Sequence, residues 1–396
     1  MSSTRPRNIV IIGGGIIGST TAYFLSHHPS YNPSRDSITI LEASSIAGGA
    51  SGKAGGLLAL WAYPSCIVPL SFRLHRELAD QHNGRERWGY REVAVGSIDL
   101  RVKKRSEARE TNGDGVSLQK RSDDAVKKLQ KAGVPEDLDW VDPEAVYGYE
   151  EMAGKGETAQ VHPYLFTTSM AALAQEKGVK IIYGMATSIN FSSSPQLNVE
   201  SITYTPKPST TSETLPATDV IVSAGPWTPQ LLPRAPITAL RAHSVTIRPS
   251  RPISAYALFT SIQLTTPRST VLTAPEIYTR PNDEIYACGE GDRVVPLPPT
   301  TADVEVDLKR CEEIESTVRS VSEVLDRGEV LVRQACYLPN GGPWVGETGV
   351  RGVVLAAGHT CWGIQNAPGT GLCVSELVWE GKVKSANIKS LMPRGV

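Results

Sequence analysis

The chain has 396 residues with 40 basic and 41 acidic side chains, and a formal net charge of −1 disfavours nucleic acid as its main partner. No apolar run is long enough to span a bilayer, and the six cysteines at 66, 288, 311, 336, 361 and 373 include no C-x-x-C pair. Disulfide frameworks and metal sites are therefore disfavoured, and a soluble protein of the reducing cytoplasm is expected, folded as one large domain or two.

Residues 8–12, Asn-Ile-Val-Ile-Ile, are mostly β-branched and predict a buried parallel strand, and residues 19–28 have the length and periodicity of a helix. Between them Gly13, Gly15 and Gly18 give a G-x-G-x-x-G spacing. The first glycine permits a tight turn, the second lets backbone approach a pyrophosphate, and the third lets helix pack on strand. Phosphates would lie beside Ile16 and Ile17 at the helix start, where unpaired N–H groups and the helix dipole favour negative charge. A second strand, Ser37–Glu42, ends in an acid suited to a ribose hydroxyl. Glu42 lies further on than the usual spacing of about 20 residues, and the polar stretch 29–35 absorbs the excess as a longer loop. The competing account is a glycine-rich turn with no ligand. The same apolar segment, 9–25, shows no convincing cleavage site and is not read as a signal peptide.

Residues 43–58 are nearly all small, as backbone lying against a ligand requires. Ser51-Gly52-Lys53 imitates a phosphate-binding loop, but Ala47 and Ala54 stand where that motif needs Gly and Ser or Thr. A second contact with the same dinucleotide, through Ala43, Ser51, Gly52, Lys53, Gly55, Gly56 and Leu57, fits better. Gly-Gly-Ala-Ser-x-x-x-Gly-Gly after a first βαβ unit resembles the FAD-dependent amine oxidoreductases of the D-amino acid oxidase (DAO) type. Glycine oxidase, monomeric sarcosine oxidase and the fructosyl-amino acid oxidases belong to that group, and the chain looks most like a fungal branch of it. The resemblance implies FAD as cofactor, with adenosine on the first βαβ unit and isoalloxazine against the loop at 51–58.

A helix is expected at 70–82 and strands within 85–101. Residues 106–124 are charged, contain Asn112-Gly113 and read as an exposed loop, with residues 103–105 as its solvated edge rather than a dock for an acidic partner. A short helix follows at 123–132 and another opens at 141–144. Residues 159–163 lead into a helix at 167–177 and a strand at 179–184, a right-handed crossover back to the parallel sheet. In the family, backbone just past that strand meets adenine, which implies Thr187. The Ser/Thr/Pro-rich run 206–214 reads as a hairpin tip or loop. Residues 219–223 form a buried strand ending in Ala224-Gly225-Pro226-Trp227, which resembles the family's Ala-Gly-x-Trp beside the phosphates and ribose. A plain strand-to-helix turn is the competing account. Residues 241–249, 255–263, 276–280 and 284–289 alternate like antiparallel strands of a substrate platform, and 303–327 reads as one helix.

Residues 330–346 read as a strand and turn, and 353–357 as another strand before Gly358-His359-Thr-Cys361-Trp-Gly363-Ile364-Gln365 and a helix. This run resembles the family's closing motif, and its helix start suits negative charge on a reduced flavin. Glycine oxidase-like relatives clamp a substrate carboxylate with two arginines. Here those positions fall at or beside Cys336 and at Cys361, leaving Arg333 or Arg280 as substitutes and disfavouring a simple free amino acid. In sarcosine oxidase-like relatives a cysteine in this strand carries FAD covalently, so Cys336 reads as attachment site, free thiol beside the flavin, or core residue. Some relatives place a lysine above the ring for reaction with oxygen; here Lys53 is the one lysine near the presumed ring. His359 is an acid–base candidate or a loop-orienting residue, and Trp362 and Tyr286 are candidate cavity walls.

The expected fold is α/β: a Rossmann-like FAD-binding domain on a parallel sheet (1–85, 150–235 and 340–396), interleaved with an α+β substrate domain on a mostly antiparallel sheet (86–149 and 236–339). The expected activity is FAD-dependent oxidation of a C–N bond in a small amine or modified amino acid, by an oxidase or a dehydrogenase. A single G-x-G-x-x-G disfavours an NAD(P)H-using reductase, which usually needs a second nucleotide site. The alternative is a flavin-binding protein with vestigial catalysis that works through protein partners. For it, the fungal branch implies a role in endosomal trafficking.

Overall fold

A computed structural model describes residues 5–104, 130–154, 156–193, 197–267 and 269–395. The first strand, Asn8–Ile12, carries isoleucine and valine on both faces and sits inside an eight-stranded sheet. It pairs in parallel with Ser37–Glu42 on one side and Asp219–Val222 on the other. Lys180–Phe191 extends the parallel set beyond Ser37–Glu42, and Val353–Ala357 extends it beyond Asp219–Val222. Antiparallel strands close both edges: Val199–Pro206 and Glu213–Pro216 on one, Trp344–Glu347 on the other. The first helix, Ile16–His27, has ten of its twelve residues buried, because it lies between this sheet and the late helix Gly363–Glu380. The two helices nearly touch by backbone: a Cβ on Gly371 would come 2.8 Å from the Thr20 carbonyl carbon.

A second sheet runs Glu329–Asn340, Thr238–Arg248, Glu284–Cys288, Glu276–Arg280, Tyr256–Thr265, Ala94–Lys103 and Val146–Glu151. Its pairs are antiparallel except Tyr256–Thr265 with Ala94–Lys103, which run parallel because distant segments meet there without a hairpin. The helix Leu308–Arg319 covers its outer face through Cys311 and Val318, which are buried. Its inner face and the ends of the parallel strands line one cavity, and the small sheet of Leu57–Ala59, Thr158–Gln160 and Arg91–Glu92 packs against both the late helix and Ala94–Lys103. This arrangement is the expected mixed α/β architecture.

Several local expectations change. Residues 303–327 form two helices, Leu308–Arg319 and Glu323–Asp326, because Asp307 and Ser322 each cap a new helix start by accepting backbone N–H groups. Residues 141–144 make a turn, not a helix, since Asp142 Oδ1 accepts from Glu144 N and the chain goes straight into Val146–Glu151. The expected helix at 70–82 is Val68–Gln81, and the run after 206 is the tip between Val199–Pro206 and Glu213–Pro216. The loop at 106–124 and most of the helix at 123–132 lie outside the described residues.

Candidate active site

The glycine turn is held by geometry that no other residue meets. Gly13 has φ +109°, its N–H donates to Leu41 O, and a Cβ there would sit 2.5 Å from Ser223 O. A Cβ on Gly18 would lie 1.9 Å from Gly13 O, so the third glycine sets how closely helix meets turn. Gly15 is the N-cap of the first helix. Ser51 accepts from Ile16 N at 2.9 Å and pins the second small-residue loop to the helix start. Glu42 accepts from Gly14 N at 2.7 Å and from Ser44 N at 2.8 Å, so the acid braces the turn as well as facing the cavity.

A cavity of about 470 Å³ runs along this turn and on to the inner face of the second sheet. Of the residues singled out from sequence, Gly13, Gly15, Ile16 and Ile17 line it, followed by Glu42 and Ala43. Ser51, Lys53, Gly55, Gly56 and Leu57 line it from the second loop, and Ala224, Gly225 and Trp227 from the turn after Asp219–Val222. Cys336, Gly358, His359, Gly363 and Ile364 complete the set. Gly18 and Gly52 stand behind the wall; a Cβ on Gly52 would lie 2.2 Å from Ala47 O. Gln365 is buried and ties the late helix to the small sheet, accepting from Ala59 N and donating to Val68 O. Thr187 lies off the cavity, donating to Thr203 O, because a register shift after Ala186 turns it away. Gly184, Met185 and Ala186 line the cavity in its place.

The substrate-side wall comes from adjacent strands in register. Phe259, Glu276, Cys288 and Ser244 stand side by side across four strands, and Ala257, Tyr278, Tyr286 and Thr246 form the next row. Tyr278 meets Tyr286 at 6.0 Å and Phe259 at 5.9 Å between ring centres, Phe259 meets Trp61 at 6.1 Å, and Trp61 meets Trp362 at 5.3 Å. The rings thus form a continuous line from a half-exposed mouth inward. Glu276 accepts from the Tyr278 hydroxyl at 2.5 Å and from the Cys288 thiol. Burial pushes its carboxyl above the ordinary range, and its described partners include no cation.

Neither substitute arginine faces this chamber. Arg280 donates to Glu284 and to Ala54 O and stacks on Tyr286 from behind, while Arg333 pairs with Glu315 outside. Among the described residues no arginine lines the cavity, and Lys53 is its one lysine. Lys53 donates to Ala335 O at 2.9 Å, and burial lowers its pKa. Burial pushes the Cys336 thiol up to about 11, and His359 down to about 3. The His359 Nε2 meets Thr370 Oγ1 at 3.0 Å, and Nδ1 is buried without a partner among the described residues. Thr360 follows with φ +54°, a strained conformation for a β-branched residue and typical of functional turns.

Glu276, Cys288, Phe259 and the stretch 295–301 escaped the sequence reading. Trp227 Nε1 donates to Pro298 O at 2.6 Å, and the Tyr337 hydroxyl donates to Val295 O and Pro296 O at 2.9 and 3.0 Å. These bonds strap the stretch across the cavity, where Pro299, Thr300 and Thr301 form wall. Alternation within 276–280 was the signal for Glu276, but the facing direction was not readable without the register.

The profile of the FAD dependent oxidoreductase (DAO) family matches residues 8–377. The chain belongs to this family. Its cofactor is FAD, and the structure fits one: the glycines at 13 and 18 leave no room for a Cβ, and a long cavity passes the start of a buried helix. The Saccharomyces cerevisiae protein named as an oxidoreductase, TDA3, is 33% identical over 503 aligned positions, covering 99% of this chain and 95% of its own. A Schizosaccharomyces pombe protein likewise named as an oxidoreductase is 37% identical over 409 positions, covering 99% of both. Among solved structures, glycine oxidase from Geobacillus kaustophilus aligns with TM-score 0.68 at 19% identity, covering 99% of each chain. Iminodiacetate oxidase from Chelativorans aligns with TM-score 0.67 at 15% identity, covering 97% of this chain and 98% of its own. At these identities the solved structures establish the fold. No helix among the described residues is long and apolar enough to cross a membrane.

Proposed function

We propose that this FAD-dependent oxidoreductase oxidises a C–N bond in a small amine or modified amino acid. Bound FAD supplies the hydride acceptor at its N5; the chain's residues hold it and present the substrate. Gly13, Gly15, Ile16 and Ile17 would hold the pyrophosphate and Glu42 and Ala43 the adenosine ribose, with the Ala224–Trp227 backbone packed beside the phosphates and ribose. Gly55–Leu57 and the helix start at Gly363 and Ile364 would flank the ring, with Lys53 beside it. In this reading segments 1–85, 150–235 and 340–396 are the cofactor domain, and 86–149 and 236–339 the substrate domain.

The observation that carries the reading is the chamber beyond Gly55, walled by Phe259, Tyr278, Tyr286 and Trp362. Such a wall excludes water and holds a substrate C–H in one orientation over the acceptor. Neighbours of the same fold are named as oxidases of glycine and iminodiacetate, compounds with a C–H next to nitrogen, which supports a C–N bond as the target. His359, pushed toward its neutral form by burial, would orient the Gly358–Gly363 turn. The test is anaerobic mixing of the purified yellow protein with a panel of amines and N-substituted amino acids, following the visible flavin band. Bleaching by at least one compound is expected; purified protein without flavin, or a full panel without bleaching, overturns the reading.

A second reading is a flavin-binding protein acting through partners, with endosomal association as its location. The observation in its favour is the lack of any arginine lining the cavity among the described residues, with the Lys53 ammonium already engaged by Ala335 O.

A further inference from the structure

We infer that the chamber selects an organic cation, a substrate held at Glu276 by a cationic nitrogen separate from the unprotonated amine that is oxidised, rather than by a carboxylate. The inference rests on the reading of the cavity as flavin cradle plus substrate chamber, and it names the substrate class.

Three observations converge. Glu276 is a chamber-lining carboxylate whose described partners, the Tyr278 hydroxyl and the Cys288 thiol, carry no positive charge. Even a partly buried carboxylate without a counter-charge is costly, and a side chain that served only to accept from Tyr278 could be neutral. The walls around it are rings: Phe259 sits beside Glu276 in the cross-strand register, Tyr278 packs on both Phe259 and Tyr286, and Trp362 closes the mouth. Aromatic faces attract ammonium and methylated ammonium groups, most strongly when desolvated. Finally, no arginine lines the cavity among the described residues, and the one lysine has a backbone carbonyl as partner. A carboxylate group would thus find an acid and aromatic rings where it needs a guanidinium; a cation finds what it needs.

The test uses choline, which lacks the nitrogen lone pair that amine oxidation needs and so serves as an inert probe. Its affinity is measured by calorimetry against its uncharged carbon isostere, in which the quaternary nitrogen is replaced by carbon, and against acetate. The purified protein should bind choline about tenfold or more tighter than the isostere, with acetate weakest. Glu276→Gln should lower choline affinity by about tenfold and leave the isostere within about twofold. The same variant should hold or raise the melting temperature of ligand-free protein, since it removes a partly buried, unpaired charge while keeping an acceptor for Tyr278. Equal binding of choline and isostere, tighter binding of acetate, or a choline affinity unmoved by Glu276→Gln overturns the inference. The visible spectrum separates the two readings. Flavin-loaded protein indifferent to the probe's charge sinks only the cation site; flavin-free protein that still selects choline sinks only the proposed oxidation.

Discussion

A Cβ on Gly55 would sit 2.2 Å from Cδ2 of Tyr278, so the second small-residue loop presses directly on the ring that supports Glu276. The ring is held against swinging aside: its hydroxyl donates to Glu276, and Phe259 and Tyr286 pack against it edge-on and tilted. Gly55→Ala is therefore expected to overpack this contact and destabilise the protein by about 1–3 kcal/mol. The displaced loop should also shift the visible flavin spectrum. Chemical denaturation and the absorption spectrum check both; a variant with unchanged stability and spectrum would show that the contact is loose.

The cysteines give a contrast in reactivity. Cys361 is exposed, whereas Cys336 is buried with its thiol pushed up to about 11. Thiolate is the nucleophile and the fraction present at neutral pH falls with rising pKa. Iodoacetamide at neutral pH should label Cys361 well before Cys336, read by peptide mass spectrometry. The same argument predicts that acid precipitation leaves flavin in the supernatant, because a thiol kept neutral by burial is a poor nucleophile toward the ring even though it lines the cavity. Flavin retained in the pellet would reinstate Cys336 as a covalent attachment site.

The glycine turns, the parallel strands and the closing motif were legible because each depends on local chemistry: β-branched runs, glycine spacing and a strand followed by a small-residue turn. Strand register across the second sheet was not. Glu276 faces the chamber only because it lies beside Phe259 on one strand and Cys288 on another, a relation between segments 12 to 17 residues apart in sequence. The side-chain direction of Thr187 was unreadable for a related reason, since a register shift within one hairpin keeps it off the cavity wall while Gly184, Met185 and Ala186 line it. The two arginine substitutes look equivalent in sequence, but Glu284 and Glu315 claim them.

Two buried histidines make the fold acid-sensitive. Burial, which penalises the charged ring, pushes His359 down to about 3 and His75 down to about 4. In the unfolded chain both titrate near ~6.5, so between that pH and the folded values the unfolded state binds protons that the native state does not. Stability should accordingly be flat with respect to these groups above ~6.5 and fall by about 1.4 kcal/mol per pH unit for each histidine as pH drops below it. Urea midpoints at neutral pH and near pH ~5 test this, with His75→Gln expected to weaken the slope. A midpoint independent of pH in that window would show that neither ring is buried as described.

The strap across the cavity should control how long the cofactor stays. Residues 295–298 are held by the Trp227 indole and the Tyr337 hydroxyl, and the wall they position, Thr300 and Thr301, faces the small-residue loop; a Cβ on Gly48 would lie 2.9 Å from Thr301 Oγ1. Neither anchor contributes more than about 1 kcal/mol net by itself. Together they decide whether the stretch lies over the cavity or opens, so the double variant Trp227→Phe with Tyr337→Phe should release flavin about 5–30-fold faster, the factor that one to two kcal/mol represents. The fluorescence rise of free flavin after dilution measures the rate. The single variants serve as the control: each should shift the rate by less than the pair, and a double variant that releases flavin at the parental rate would mean that other contacts hold the strap shut.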